Sequence, residues 1–301
     1  MKKLLFTILI LVVIDLCLNM GMRAAQRKEH HGQEISFGAP VGSEKTLTGC
    51  GQVTMKVFDQ EIVRGEQLKT LPRSTVSTLW ARSARNGGIH AQGWDRDYYE
   101  VKACTGAAGK TTAEAERLLS QVSLSFQNGR VNVQGPDVNT WMVYLIIRVP
   151  KGAVMEFEAE KSPITLNALA GTAQVRTVNG PVSLFDVNGQ VRAEAQNGGI
   201  HVEGARGDYR LNVRNGPLEI ELLGNRWQAG KLEATTENGP LSLSIPAAYK
   251  SHVQVEGQIL SQVDCRVIKC RQWGTNLIEF GAGDPVVRLS TIRGPVKINM
   301  Q

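Results

Sequence analysis

Few residues of this chain have the types and spacing that catalysis requires. Glu219 and Glu221 share one face of a predicted strand, and two carboxylates roughly 5–10 Å apart are what glycoside hydrolysis uses. Asp186, however, has Gly204 and Leu222 at the equivalent positions of the following repeats, so acidic residues do not form a column. A carbohydrate-active lyase or glycosidase stays open as an alternative, but we expect no enzyme and no catalytic residue.

Residues that could bind a metal are isolated from one another. Adjacent His30 and His31 lie in a polar stretch without Cys or carboxylate partners. Asp95 and Asp97 resemble the opening of a calcium loop, but the glycine and the closing glutamate of such a loop are absent. We interpret this aspartate pair as a charged turn and expect neither a metal nor another cofactor.

Two histidines occur in identical surroundings. The motif Asn-Gly-Gly-Ile-His is found at 86–90 and again at 197–201. His90 and His201 each stand between inward-facing positions of a strand, so we expect both to point to solvent. No carboxylate or nucleophile recurs beside them, which favours surface residues over general bases.

Trp94 and Trp227 are the candidate ligand contacts, since an exposed indole can stack on a sugar. Trp227 lies in a five-residue excess between Asn215 and Asn238, and insertions in repeat proteins form loops on one face. The alternative for Trp227, that it caps the local core, stays open.

The elements that must position these residues repeat at a fixed interval. Asn179-Gly180, Asn197-Gly198 and Asn215-Gly216 are spaced 18 residues apart, and Asn238-Gly239 follows after 23. A degenerate copy stands at 161–166, and Asn86-Gly87 and Asn128-Gly129 match the motif upstream. Aliphatic residues alternate with polar ones on both sides of each pair, which is the period of a half-buried strand. A fixed period of this size is typical of a solenoid.

The Asn-Gly pairs allow two architectures. In one, each pair is the type I′ turn of an antiparallel hairpin. In the other, each pair is the corner of a β-helix coil, and asparagine side chains stack from coil to coil. Because the residue types keep the same phase in every copy, we favour the second. The predicted fold class is all-β, a parallel single-stranded β-helix or solenoid with coils of about 18 residues and one short inserted helix.

The chain divides into three predicted parts. Residues 1–25, with Lys2 and Lys3 before an apolar run, read as a signal peptide or an N-terminal anchor. Residues 26–70 are polar and lack a period, which predicts a flexible lead-in. Residues 71–301 form the solenoid domain, with a helix inserted near 111–121, where Thr111 and Glu114 form a capping box, and with atypical coils at 250–301.

Composition excludes several classes. Of the 301 residues, 42% are hydrophobic and 21% charged, which is enough for a sizeable core. The net charge is +6, but basic residues alternate with acidic ones along the strands, so we expect no nucleic-acid partner. We expect contact with a membrane only through an N-terminal anchor.

The cysteines agree with an exported chain. Apart from Cys17 in the predicted signal there are four, and four allow three pairings. We favour Cys265 with Cys270, closing a small loop, and Cys50 with Cys104, tying the lead-in to the first coils. Zinc is the alternative, although no CxxC spacing supports it.

The chain also resembles a known family. The sequence Trp-Asp-Arg-Asp at 94–97, the helix start at Ala113-Glu114, the apolar strand at 143–152 and the serial Asn-Gly motifs resemble the DUF4097 (toastrack-like) family of bacterial envelope proteins named "putative adhesins". The resemblance covers about 75–245. It implies a right-handed, single-stranded β-helix-like fold and supplies no catalytic residues.

These observations predict a non-enzymatic exported protein of the periplasm or cell surface. We expect it to act as an adhesin or as a binding and structural module, with a glycan or a protein of the envelope as its partner. A membrane-tethered accessory or sensor domain is a further alternative.

Overall fold

Two rows of short parallel strands make up most of the structure. The computed structural model describes residues 35–38, 45–57, 60–84, 86–260, 265, 270–282, 284 and 286–301. These residues are mostly β, with one α-helix and a large mixed sheet in which parallel pairings predominate. The predicted signal or anchor at 1–25, together with His30 and His31, lies outside them.

The elements follow one another in short segments. The strands are β1 (Ile35–Gly38), β2 (Thr54–Val57), β3 (Glu61–Pro72), β4 (Leu79–Arg82), β5 (Gly87–Trp94), β6 (Tyr98–Gly109), β7 (Ser123–Gln127), β8 (Arg130–Gln134), β9 (Trp141–Pro150), β10 (Ala153–Ala159), β11 (Ile164–Asn167), β12 (Gly171–Thr177), β13 (Val182–Phe185), β14 (Gln190–Ala195), β15 (Ile200–Gly204), β16 (Asp208–Asn215), β17 (Leu218–Leu222), β18 (Leu232–Asn238), β19 (Leu241–Ile245), β20 (Val253–Ile259), β21 (Cys270–Trp273), β22 (Leu277–Phe280) and β23 (Val287–Met300). The helix is α1 (Thr112–Leu119), and short 3-10 turns lie at Cys50–Gln52 and Arg73–Thr75.

Each repeat contributes one strand to each of two strand rows. The strands before the corners, β10, β12, β14, β16 and β18, pair in parallel with one another in what we call sheet I. The strands after the corners, β11, β13, β15, β17 and β19, pair in parallel in sheet II. Val175, Ala193 and Leu211 are successive register partners. The hairpin interpretation is therefore wrong for these corners, and the predicted parallel pairing is confirmed.

Alternation along each strand separates the core from the outer faces. In β16, Tyr209, Leu211 and Val213 are each 1% exposed, while Arg210 and Asn212 between them face solvent. The apolar residues of sheets I and II belong to one continuous cluster of buried side chains. Burial of these side chains is the main force that holds one repeat against the next.

The chain does not enter this stack in sequence order at its N-terminal end. Strand β4 lies between β8 and β10, and β5 lies between β9 and β11, all in parallel. Strand β6 then returns antiparallel to β9 and to β3. The predicted first pair of coils at 75–104 is thus one coil followed by an antiparallel strand.

A second exchange of order occurs at the C-terminal end. Strand β23 pairs in parallel with β18 and β19 on one side and with β20 on the other, and β22 and β21 continue beyond β20 in antiparallel pairings. The expected last coil at 287–298 is therefore inserted inside the stack. The register of β20 shifts between Glu256 and Gln258, which accounts for the valines of β20 that are out of phase in the sequence.

The predicted helix is present and capped as expected. The Thr111 hydroxyl accepts a hydrogen bond from the Glu114 amide, and the Glu114 carboxylate accepts one from the Lys110 amide. Ala115 and Leu118 are buried against β3 and β6.

Strands within 26–70 correct the prediction of a flexible lead-in. Strands β1, β2 and most of β3 lie there, and residues 45–57, which we call the strap, carry buried Leu47, Val53 and Met55. These side chains pack with Met142 and Tyr144 in a second, smaller core. The strap lacks a period because it uses a few apolar residues to cover a surface that the repeats have already formed.

Candidate binding surface

The corners align in a hydrogen-bonded column. The Asn197 amide donates to the Asn179 side-chain oxygen at 3.1 Å, Asn215 donates to Asn197 at 2.9 Å, and Asn238 donates to Asn215 at 3.0 Å. The Arg293 guanidinium closes the column on Asn238 at 3.1 Å. The column fixes the register of both sheets, and therefore the positions of the side chains on their outer faces.

The glycines at these corners are required by close approach. A Cβ at Gly198 would lie 2.1 Å from the Gly180 carbonyl oxygen, and a Cβ at Gly216 would lie 2.5 Å from that of Gly198. Asn86 and Gly87 form a related corner, where the Asn86 amide donates to the backbone oxygens of Asn139 and Trp141.

Asn128 and Gly129 are an exception. They join β7 and β8, which are antiparallel, and both residues have positive φ, 50° and 76°, as a type I′ turn requires. The expectation that this pair is another corner is therefore wrong. The sequence signal that separates the two uses is the following residue, which is Pro or Gly at the corners but Arg130 in the hairpin.

The outer face of sheet I carries columns of charged side chains in register. In one column, Arg82, Glu158, Arg176 and Glu194 alternate in sign on adjacent strands. Arg176 Nε lies 3.3 Å from a Glu194 carboxylate oxygen. Opposite charges directly across a strand pair stabilise a sheet modestly, so this column has a structural explanation.

The neighbouring column breaks this rule. It runs Gln174, Arg192, Arg210, Glu233 and Arg288. Glu233 contacts Arg210 at 3.6 Å and Arg288 at 3.9 Å, whereas Arg192 has no ion pair with any residue that the structure describes. Like charges directly opposite each other destabilise a sheet, so the adjacent Arg192 and Arg210 are not explained by stability.

These two arginines line a groove of about 290 Å³ across β12, β14 and β16. The other outward side chains around it belong to Thr172, Gln174, Gln190 and Asp208. A second depression of about 250 Å³ lies on the same face over the alternating column. Guanidinium, amide and carboxylate groups on a rigid sheet can together hydrogen-bond an extended polar ligand. Sequence reasoning missed the groove, although the spacing of 18 between Arg192 and Arg210 placed them in one column.

The two motif histidines differ in environment. His90 is 0% exposed, because it lies beside Ile146, which packs in the smaller core with the strap. Neither of its ring nitrogens has a hydrogen-bond partner among the described residues. His201 is partly exposed, with Nδ1 3.4 Å from a Glu219 oxygen. The prediction of a solvent-facing side chain is therefore wrong for His90.

Burial changes the acid–base properties of several groups. Desolvation, with a smaller contribution from the Arg148 charge, lowers the pKa of His90 to about 4. Desolvation, with the nearby Asp186 charge, raises the pKa of Tyr209, whose hydroxyl donates to the Val187 carbonyl. These groups lie in or beside the cores, so they stabilise the fold and do not face the groove.

The tryptophans singled out in the sequence lie away from the groove. Trp227 is 6% exposed, its indole N–H donates to the Gly207 carbonyl at 2.8 Å, and its ring packs edge-on against Tyr209. It closes the core beneath the longer loop and presents no open face to a ligand. Trp94 is half-buried and donates to the Tyr98 carbonyl at 2.9 Å.

The turn after Trp94 and the cysteines are structural. Asp95 pairs with Lys151 at 2.8 Å, and within the described ranges no group of three His, Cys, Asp or Glu side chains could hold a metal. Disulfides join Cys50 to Cys104 and Cys265 to Cys270. In the part of the chain that is described, no helix has the length and apolarity needed to cross a membrane.

Comparisons with known proteins add only distant likenesses. No family model and no curated protein matches the chain, so the DUF4097 resemblance rests on the quoted motifs alone. Among solved structures, a "putative cell adhesion protein" from Clostridium sporogenes is 9% identical with a TM-score of 0.26, over 79% of this chain and 100% of that one. A "putative adhesin" from Bacteroides fragilis is 8% identical with a TM-score of 0.32, over 79% and 97%. A "putative lipid binding protein" from Parabacteroides distasonis is 11% identical with a TM-score of 0.32, over 78% and 96%. At these scores the likenesses carry no argument about function.

Proposed function

We propose that this chain is an exported, non-enzymatic β-solenoid of the periplasm or cell surface, which binds an extended glycan or protein of the envelope through the outer face of sheet I. The observation that carries the proposal is the groove across β12, β14 and β16, where Arg192 stands without a carboxylate partner among the described residues. A charge that stabilises nothing in the fold is available to a ligand.

The repeat geometry suits such a ligand. Parallel strands are about 4.8 Å apart, so equivalent side chains form a regular series of hydrogen-bonding groups perpendicular to the strands. A polymer lying along that direction meets the same kind of group at each strand. The asparagine column keeps these groups in register.

The groove is better suited to binding than to hydrolysis. Asp208 is the single carboxylate among its lining residues, whereas glycoside hydrolysis uses two. Arginine and glutamine are side chains that hold hydroxyl, carboxylate or sulfate oxygens by hydrogen bonds. We therefore assign Asp208 to ligand binding.

Two disulfides support an extracytoplasmic location, since such bonds persist in oxidising compartments. Whether residues 1–25 are cleaved or remain as an anchor is decided by mass spectrometry of the N-terminus in native envelopes. A mature N-terminus near residue 26 supports a released module, and an intact one supports the tethered alternative.

Substitution of Arg192 tests the proposal. We expect Arg192→Gln to weaken binding to a panel of immobilised envelope oligosaccharides and envelope proteins by about 10- to 100-fold, because a hydrogen bond from a charged group contributes about 1.5–3 kcal/mol. Arg288→Gln, in the same column but outside the groove, is the matched control and should bind as the wild type does. Equal loss in both variants, or no binding by the wild-type chain, would contradict the proposal.

A further inference from the structure

Strand β3 forms an open edge at one end of sheet II. It pairs with β6 along its whole length, Glu61 to Pro72, and among the described residues no strand pairs with its other side. Open edges present unpaired backbone groups and invite pairing with another chain. Leu68 on this strand is 55% exposed, which is high for a large apolar side chain.

We propose that β3 pairs antiparallel with β3 of a second copy of this chain, about a two-fold axis at Gly65. Such an isologous contact closes on itself and joins the two sheets edge to edge. It accounts for the order of charged and apolar residues along the strand.

The register follows from charge complementarity. With Gly65 opposite its own copy, Arg64 lies opposite Glu66 of the second copy, and Glu61 lies opposite Lys69 of the second copy. Ile62 then lies opposite the exposed Leu68. Directly opposed residues lie on the same face of a sheet, so each pair can form contacts across the strands.

Neighbouring registers lack this match. A two-fold axis perpendicular to the sheet passes midway between directly opposed residues, so one residue of β3 must face its own copy. An axis at Arg64 or at Glu66 would place like charges against each other. An axis at Gln67 would leave both of these charges opposite uncharged residues. Among these positions, Gly65 is the one that pairs opposite charges on both sides.

Contacts within the chain already orient the central charges. The Arg64 guanidinium donates to the Val53 carbonyl at 3.0 Å, and Lys102 Nζ lies 3.4 Å from a Glu66 carboxylate oxygen. Both side chains are held on the face of the sheet that the strap covers. The Glu66 side chain remains 47% exposed, so it can accept a second cation.

Charge reversal with heterodimer rescue tests the pairing. Arg64→Glu alone places glutamate opposite Glu66 twice per dimer, and Glu66→Arg alone places arginine opposite Arg64 twice. In an equimolar mixture, a heterodimer of the two variants restores both opposite-charge pairs. Sedimentation equilibrium of the exported chain should show a wild-type dimer, each variant dissociating at least about tenfold more readily, and a dimer restored in the mixture.

Lys297→Glu, an exposed reversal on β23, is the control and should leave the dimer unchanged. The rescue also guards against misfolding, since a variant that fails to fold cannot restore its partner. A monomeric wild-type chain, variants as dimeric as the wild type, or a mixture that stays monomeric would each overturn the proposal.

Discussion

His90 is a fully buried imidazole whose ring nitrogens have no hydrogen-bond partner among the described residues. Burial, with a smaller contribution from Arg148, lowers its pKa from 6.5 to about 4. The folded state therefore holds this ring neutral at a pH where the unfolded chain binds a proton. Stability contributed by neutral His90 is present above about pH 6.5 and is lost as the pH falls towards about 4.

We predict that the free energy of unfolding decreases by about 3 kcal/mol across this pH range because of His90. His90→Leu should remove most of that pH dependence and should not destabilise the chain at pH 7.5, since it replaces an unpaired buried polar group by an apolar one. Urea unfolding at a series of pH values measures both effects. His201→Gln, at the matching motif position but partly exposed, should leave the decrease in place. A pH profile of His90→Leu equal to that of the wild type would contradict this account.

At the scale of the element, the asparagine column holds the corners together. Asn197 both donates to Asn179 and accepts from Asn215, so Asn197→Ala removes two hydrogen bonds. We predict a loss of about 1–2 kcal/mol in the free energy of unfolding. Asn212→Ala, on the exposed face of β16, is the control and should change stability by less than about 0.5 kcal/mol. Equal effects of the two substitutions would show that the column does not stabilise the stack.

The two disulfides close loops of very different length. Cys50 and Cys104 are separated by 54 residues, and Cys265 and Cys270 by 5. Loop entropy predicts that replacing the first pair by alanine costs about 4 kcal/mol and replacing the second about 2 kcal/mol. Loss of the first should also release the strap and speed hydrogen exchange at Leu47 and Met55. Chemical denaturation and exchange of both double variants test this, and a larger loss from the second pair would contradict it.

The sequence predicted the repeated elements well and their order poorly. The period of 18 residues encodes contacts between equivalent positions, so the parallel register at Val175 and Ala193 follows from it. It does not encode the order in which segments join the stack, so the insertion of β4 and β5 and of β23 could not be predicted. The groove depends on the same register, and it was missed because attention fell on aromatic and acidic residues and not on adjacent arginines.

At the scale of the whole molecule, the exchanged strand order has a consequence for the ends of the stack. Antiparallel strands follow the parallel repeats at both ends, β6 and β3 at one and β22 and β21 at the other. The last residues of the chain, in β23, are thereby paired on both sides. The proposed pairing of β3 would cover one of the two open edges, while the outer face of sheet I stays available to a ligand.

Every proposal about this face depends on the in-register parallel stack, and paired cysteines test that stack most directly. Glu194 and Asn212 are register partners on adjacent strands. Parallel strands lie about 4.8 Å apart, within the range over which a disulfide can form. We predict that Glu194→Cys with Asn212→Cys forms a disulfide on mild oxidation, detected by mass spectrometry of linked peptides. Glu194→Cys with Arg214→Cys, offset by one pleat on the same face, should not. Linkage of the offset pair in preference to the register pair would contradict the stack and the binding surface built on it.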